Sequence, residues 1–247
     1  MGLASKAWHK LNRAVVKLCP DSGLARYYRR RQFSNVYKWA SWGHAPDSKY
    51  FSGMGSAGPA AHMYVEKMSQ ILASIVEKST YPPTIVDLGC GDFRVGSELV
   101  RRLQGARYVG CDIVSEVIAE NTRRFGSDHV RFQCLDLVSE TLPEGDVYLV
   151  RQVFQHLPNA DIAIALAKLA SRRHVFVTEG QPKTLVGPAN PDKPIGGDVR
   201  FDWERGRGRG VELDQPPFGL PIREILRAPA VQQNSGEVIV TWELAKA

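Results

Sequence analysis

An acid followed by a glycine turn is the first sign of chemistry in this chain. Residues 84–96 read TIVDLGCGDFRVG, so that an apolar run leads to Asp87, and Gly89 and Gly91 follow. A strand that passes through a glycine turn into a helix presents a nucleotide-like ligand at the carboxyl edge of a parallel sheet. Glycines suit the turn because a Cβ would block the ligand and disfavour positive φ. A dinucleotide site requires a third glycine where Arg94 stands, which excludes that ligand class.

The spacing of the turn resembles motif I of class I S-adenosylmethionine-dependent methyltransferases, D/E-x-G-x-G, and the resemblance covers about residues 84–180. It implies a Rossmann-like α/β fold, in which a central, mostly parallel seven-stranded sheet is flanked by helices. It also implies S-adenosyl-L-methionine as the cofactor and S-adenosyl-L-homocysteine as the product. Gly89, Cys90 and Gly91 would approach the cofactor through their backbone.

Two further acids follow the next two predicted strands. Asp112 lies 21 residues after Gly91, where a carboxylate accepts both ribose hydroxyls, and Ile113 lies beside it. Asp136 and the Leu137 amide would take the amino group and a ring nitrogen of adenine. Asp87 would order the turn and reach the cofactor's ammonium group, directly or through water. Each acid alone could be a loop cap, but three at successive strand ends favour a binding site.

Segments outside the core resemble a subgroup of bacterial methyltransferases that we associate with gene clusters for cell-surface polysaccharides. These segments are 42–43, 52–56, 151–159, 190–194, 197–200 and 216–218. The resemblance implies that the chain before the core folds over the cofactor, so that Ser52, Gly53 and Ser56 line the pocket. Arg151 and Gln152 would hold the cofactor or the substrate. The expected reaction is O-methylation of a sugar hydroxyl on a free, nucleotide-linked or lipid-linked saccharide.

His156 is the first candidate for the general base. It follows the predicted fourth strand on a loop that faces the cofactor methyl group in this fold, and an imidazole with a pKa near 6.5 accepts protons at neutral pH. A structural histidine that holds the loop is the alternative. Glu179, at the end of the predicted fifth strand, is the rival base. Further candidates are Asp192, Asp198 and His62.

Metal and disulfide chemistry find little support in the sequence. There is no H-x-x-H or C-x-x-C spacing, so no catalytic metal is expected. Binding of Mg²⁺ by acids such as Asp192 and Asp198 stays open. The four cysteines are scattered, which favours the reduced thiols of a cytoplasmic protein over a disulfide framework. They are Cys19, Cys90, Cys111 and Cys134.

The basic residues are concentrated at the N-terminus. The net charge is +6, but residues 1–38 hold nine Lys or Arg against one acid, and the remainder has a net charge of −2. We therefore expect no nucleic-acid partner. Residues 3–18 combine apolar positions at helical spacing with an opposite basic face. This helix would cap the domain, pack on a second subunit in a homodimer, or contact an anionic membrane peripherally, at its inner face. The arginines at 26 and 29–31 would form a solvated surface.

Alternating elements are expected to position these residues. Strands are predicted after Pro83 and at 107–112, 130–134, 146–150, 174–178 and 236–244, with helices at about 60–78, 94–103, 115–125 and 159–171. Residues 33–56 are expected to form an ordered loop. The predicted division is an N-terminal helical extension and cofactor-covering loop at 1–80 and a methyltransferase core at 81–247. The core would contain a Pro/Gly-rich insertion at about 181–235. The sequence contains no apolar stretch of about 18 residues, so we expect no transmembrane helix.

Other functions remain open at this stage. The core motifs equally fit a small-molecule or natural-product methyltransferase. A nucleic-acid methyltransferase is disfavoured because Arg151-Gln-Val-Phe stands where an N-P-P-F/Y motif would follow the fourth strand. A regulator that binds the cofactor without catalysis is the alternative outside the enzymes.

Overall fold

The structure is a computed structural model that describes residues 18–202, 204–229 and 236–245. The predicted helix at 3–18 therefore lies almost entirely outside the described residues, and its contacts with a membrane or a second subunit stay predictions. Within the described ranges, no helix is both long enough and apolar enough to cross a bilayer.

Seven strands form the central sheet: β1 (Thr84–Leu88), β2 (Arg107–Asp112), β3 (Val130–Cys134), β4 (Val147–Arg151), β5 (His174–Pro182), β8 (Ile222–Pro229) and β9 (Glu237–Leu244). Their order in the sheet is β3-β2-β1-β4-β5-β9-β8. The first five are parallel, and β9 runs antiparallel to both β5 and β8. A separate small sheet pairs β6 (Thr184–Leu185) with β7 (Arg207–Gly208). The predicted mostly parallel seven-stranded sheet is confirmed.

Helices cover both faces of this sheet. Those of the described residues are α1 (Gly23–Lys38), α2 (Gly58–Glu77), α3 (Arg94–Arg102), α4 (Ser115–Phe125) and α5 (Asn159–Leu169), with short 3₁₀ helices at Met54–Ser56 and Phe154–His156. The four predicted helices agree with α2 to α5 to within about two residues at each end. Side chains of β1 alternate between the two layers. Val86 packs in the core cluster that contains α5, and Ile85 packs in the cluster that contains α2.

Two elements differ from the expectations. The helix α1 spans residues 23–38. We expected a solvated basic surface in its first part and a loop from residue 33 onward. Ser22 caps this helix through its Oγ, which accepts from the Ala25 amide at 3.2 Å. The strand β8 was not predicted. A register shift between Glu224 and Leu226 interrupts its alternation of apolar and polar residues, and this alternation is the pattern that identifies a strand.

Arg29 attaches α1 to the core through buried charges. Its side chain is 1% exposed, its Nη2 lies 2.7 Å from Asp136 Oδ2, and its Nη1 lies 3.5 Å from Asp161 Oδ2. Asp136 follows β3 and Asp161 begins α5. Burial raises the pKa of Asp161 to about 6 and nearby Arg29 opposes that shift. Since a buried carboxylate is costly without a cation, this cluster fixes the position of α1.

We predict that Arg29→Ala destabilises the protein by about 3–5 kcal/mol, because it leaves two buried carboxylates without their cation. Arg26→Ala on the same helix removes a largely exposed ion pair with Glu140 and should cost about 1 kcal/mol or less. Urea unfolding of both variants measures the difference. Equal losses would show that the buried cluster does not hold the helix.

Candidate functional site

The strand order reverses between β1 and β4, and a crevice is expected at the carboxyl ends of the strands at such a point. A cavity of about 600 Å³ lies there, a volume typical of small-molecule sites. All but one of the predicted site residues line it: Ser52, Gly53, Ser56, Asp87, Gly89, Cys90, Gly91, Asp112, Ile113, Asp136, Leu137, Arg151, Gln152 and His156. The exception is Glu179.

Backbone hydrogen bonds tie the glycine turn to the end of β2. Gly89 and Gly91 have φ values of 86° and 54°, in the region that favours glycine. The amides of Gly89 and Cys90 both donate to the Cys111 carbonyl, at 2.7 and 2.9 Å. The Gly91 amide donates to Asp112 Oδ2 at 3.1 Å. The turn and the second acid therefore form one rigid unit at the floor of the cavity.

Asp112 and Asp87 are buried carboxylates that face this cavity. Asp112 Oδ1 accepts from the Val114 amide at 2.9 Å, while burial raises the pKa of this carboxyl to about 6. Burial also raises the pKa of Asp87 to about 6, although the Tyr108 hydroxyl donates to it and Arg151 lies nearby. At pH 7 both groups are therefore mainly ionised, and both would gain from hydrogen-bond donors on a ligand.

Asp136 lines the cavity but its carboxylate is already occupied. It accepts from Arg29 Nη2 at 2.7 Å, from the Ser139 hydroxyl at 2.7 Å and from the Val138 amide at 3.0 Å. These contacts, together with Arg29 Nε at 3.0 Å, fill the acceptor positions that an adenine amino group would need. The structure thus gives this carboxylate a role in holding α1, which the sequence did not indicate.

The segment 52–56 covers the glycine turn. Ser52 Oγ accepts from the Asp92 amide at 2.7 Å, and the Ser52 amide donates to Asp92 Oδ2 at 3.3 Å. Ser56 Oγ donates to the Gly53 carbonyl at 2.7 Å and shapes the 3₁₀ turn. The tight fit shows at Gly91, where a Cβ would overlap Ser52 Oγ.

Arg151 joins this segment to the end of β4. Its Nη2 donates to the Gly55 carbonyl, and its Nη1 donates to Gln152 Oε1 at 3.1 Å. The guanidinium lies 5.0 Å from the centre of the Tyr64 ring. Within the described residues its buried Nε has no hydrogen-bond partner. Arg151 is therefore a cation in the cavity wall that connects segment 52–56 to the end of β4.

His156 lies at the other end of the cavity among aromatic rings. Its ring centre is 5.1 Å from that of Trp42 and 6.3 Å from that of Phe33. Its Nδ1 lies 3.3 Å from the Asp198 carbonyl, which makes Nδ1 the donor, and Gln155 Nε2 lies 3.3 Å from its Nε2. Burial, with Lys193 nearby, lowers the pKa of His156 to about 4. The expected pKa near 6.5 is thus corrected: the imidazole is neutral at pH 7 but is a weak base.

Glu179 is fully buried and does not line the cavity. Its carboxylate accepts the amides of Val153 at 3.1 Å, Phe154 at 2.8 Å and Gln155 at 3.1 Å. Burial raises the pKa of Glu179 to about 7, against the effect of these hydrogen bonds. The side chain holds the loop that presents His156.

The other residues that the sequence suggested as candidate bases do not lie together in the structure. Asp198 lines the cavity, whereas Asp192 Oδ1 accepts from the Asn159 amide at 2.8 Å. His62 is exposed on α2 and lies outside the cavity. In the part of the chain that the structure describes, no group of three or more His, Cys, Asp or Glu could hold a metal ion. All four cysteines are free.

Several lining residues were not singled out as site residues from the sequence. Phe33 and Tyr37 line the cavity from α1, Phe201 from the loop between β6 and β7, and Glu237 from the start of β9. The first two follow Arg29 at intervals of four, which places all three on one face of the helix. Recognising that helix would have identified them. No local pattern indicates Phe201 or Glu237.

Comparisons with known proteins agree with this geometry. Residues 85–173 match the family model described as a methyltransferase domain. This segment contains the glycine turn, Asp112, Asp136 and His156. No curated protein matches the chain significantly.

Solved structures show the class I methyltransferase fold around that domain. The N-methyltransferase NodS from Bradyrhizobium japonicum WM9 superposes with a TM-score of 0.55 at 13% identity, covering 86% of this chain and 100% of that one. Magnesium protoporphyrin IX methyltransferase from Synechocystis PCC 6803 superposes with a TM-score of 0.54 at 16% identity, covering 90% of this chain and 99% of that one. The 1,6-didemethyltoxoflavin-N1-methyltransferase of Burkholderia thailandensis superposes with a TM-score of 0.53 at 17% identity, covering 88% of this chain and 87% of that one. The predicted fold class is confirmed.

We predict that Gly91→Ala destabilises the protein more than Gly219→Ala. The two glycines have similar φ values, 54° and 58°, but a Cβ on Gly219 meets nothing within 4 Å. Gly219→Ala should therefore cost about 1–2 kcal/mol for its backbone conformation alone. Gly91→Ala should cost a further ~1–3 kcal/mol, because it displaces Ser52. Denaturant unfolding measures both; equal costs would mean that segment 52–56 does not press on the turn.

Proposed function

We propose that this chain transfers a methyl group from S-adenosyl-L-methionine to a hydroxyl of a saccharide or glycan precursor. The observation that supports it most is the convergence on one cavity of Asp87, the glycine turn and Asp112, which all lie in the segment that matches a methyltransferase domain. The solved structures of NodS and of the protoporphyrin methyltransferase contain bound S-adenosylhomocysteine, which supports the same cofactor here.

The chain's own residues fit the parts of that cofactor. Asp112 would accept the ribose hydroxyls. The glycine turn allows close approach of the methionyl part. Asp87 suits the ammonium group, and the Arg151 guanidinium suits the carboxylate. Adenine would lie beside Ile113 and Leu137, and its amino group would need an acceptor other than the occupied Asp136 carboxylate.

When bound, the sulfonium supplies an electrophilic methyl group. The protein must then align an acceptor oxygen, exclude water and remove a proton. Segment 52–56 closes the cavity over the glycine turn and contributes to excluding water. Neutral His156 donates from Nδ1 to the Asp198 carbonyl and accepts from Gln155 at Nε2, so it holds the Gln155 amide at this end of the cavity.

The acceptor end combines flat apolar surfaces with polar side chains. Trp42, Phe33 and Phe201 line it together with Asp198 and Glu237. Aromatic rings pack against the apolar face of a sugar ring, and carboxylates accept from its hydroxyls. The same aromatic surfaces would also stack on a planar natural product, which keeps a small-molecule methyltransferase as the second candidate.

Two expectations about the surroundings of the enzyme become proposals. The described start of the chain exposes apolar side chains at Leu24, Tyr27 and Trp39 beside basic residues of α1. We propose that this surface, with the basic segment before it, contacts an anionic membrane peripherally, as would suit a lipid-linked acceptor. A cytoplasmic location fits such an acceptor and the four free cysteines.

Methyl-labelled S-adenosylmethionine and a panel of acceptors test the proposed reaction. We expect mass spectrometry to find the label on a hydroxyl of a deoxysugar glycan, a nucleotide sugar or a lipid-linked saccharide. Planar aromatic compounds are the matched comparison. Labelling of those compounds, with every saccharide left unlabelled, would contradict the saccharide assignment and support the second candidate.

A further inference from the structure

Glu237 occupies an unusual place at the acceptor end of the cavity. It begins β9 and pairs with Pro182, the last residue of β5. The adjacent strand β4 ends at Arg151, which pairs with Thr178, so Glu237 lies beyond the carboxyl edge of the parallel strands. That edge is where the cavity opens, and Glu237 and Ile239 line it from β9.

The carboxylate of Glu237 lies close to the side chain that contacts His156. A Cβ on Gly180 would overlap Glu237 Oε1 and would lie 3.1 Å from Gln155 Oε1. Gln155 Nε2 in turn lies 3.3 Å from His156 Nε2. The absence of a side chain at Gly180 therefore lets Glu237, Gln155 and His156 form one row along the cavity.

Glu237 also differs from the aspartates of the cavity. Asp198 is exposed, whereas Glu237 is half-buried. Asp87, Asp92, Asp112 and Asp136 each accept hydrogen bonds from the protein. Within residues 18–202, 204–229 and 236–245, no hydrogen bond or ion pair reaches the Glu237 carboxylate. Burial alone raises the pKa of Glu237 to about 7. A half-buried carboxylate that is unsatisfied and faces a cavity is available to a ligand.

We propose that Glu237 is the proton acceptor for the substrate hydroxyl, an inference that rests on the proposed methyl transfer. The O–H bond breaks as the acceptor oxygen bonds to the methyl carbon, and the proton bonds to a carboxylate oxygen of Glu237. The electron pair of the former carbon–sulfur bond stays on sulfur. The proton then leaves Glu237 for solvent. Gln155, which His156 holds in place, positions the hydroxyl beside it.

The other titratable groups at this end allow the assignment to be tested. They are His156 on the 3₁₀ helix and Glu179 beneath it, with Lys193, Asp198 and the cation Arg200 in the loop between β6 and β7. His156 has a pKa near 4 and Glu179 is enclosed by three amides. Asp198 is the rival, because it lines the same cavity.

The test compares Glu237→Gln with Glu243→Gln, the same change on the same strand, where Glu243 pairs with Arg223 away from the cavity. We expect kcat of Glu237→Gln to fall at least about 100-fold, as for loss of a general base, with the KM for the acceptor changed less than about threefold. In the wild type, kcat should rise up to about pH 7, where Glu237 loses its proton, and this rise should vanish in the variant. Glu243→Gln should keep the wild-type kcat and its rise with pH.

A second readout needs no turnover. Because the folded pKa of Glu237 is raised above its unfolded value, its contribution to stability is present at low pH and is lost as pH rises to about 7. Glu237→Gln should therefore gain stability relative to the wild type across that range. The assignment would be overturned if Glu237→Gln kept the wild-type kcat or the wild-type pH dependence of kcat. It would also be overturned if the pH dependence were lost in Asp198→Asn instead. Absent binding of S-adenosylhomocysteine to the wild type would instead refute the proposed function itself.

Discussion

The buried guanidinium of Arg29 connects the parts of the molecule that enclose the cavity. It lies on α1 and pairs with Asp136 after β3 and with Asp161 at the start of α5. Because neither carboxylate has solvent to stabilise it, α1 must lie where its cation reaches both. Phe33 and Tyr37 follow on the same face of the helix and line the cavity. The ion cluster thus determines which aromatic surfaces the ligand meets.

A second constraint is the concentration of negative charge at the carboxyl edge of the sheet. Asp87, Asp92 and Asp112 are all buried there, and burial raises the pKa of each. Arg151 lies near Asp87 and Arg94 lies 3.8 Å from Asp92, and the contact of Arg151 with the Gly55 carbonyl holds the covering segment in place. Such an edge is stabilised by a ligand that brings hydroxyl and ammonium donors. The proposed cofactor has both.

The sequence predicted the repetitive part of the fold well, because each strand and helix from 84 to 178 has its own periodicity and its own turn. It also identified the residues of the glycine turn, since their spacing is local. It did not predict α1, because the buried Arg29 cannot be told from the neighbouring arginines by sequence. It did not predict β8, because a register shift interrupts the alternation of apolar and polar residues. The partners of Asp136, the amides around Glu179 and the burial that lowers the pKa of His156 all come from distant segments. No local pattern records them, and the same holds for Glu237.

Isothermal titration of the full chain with S-adenosylhomocysteine tests the central claim most directly. The account predicts saturable binding at one site per chain, and an affinity about 100-fold weaker in Asp112→Asn, or about 2.8 kcal/mol. Asp214→Asn, an exposed acid outside the cavity, should bind as the wild type does. A folded wild-type protein that binds no S-adenosylhomocysteine would contradict the account.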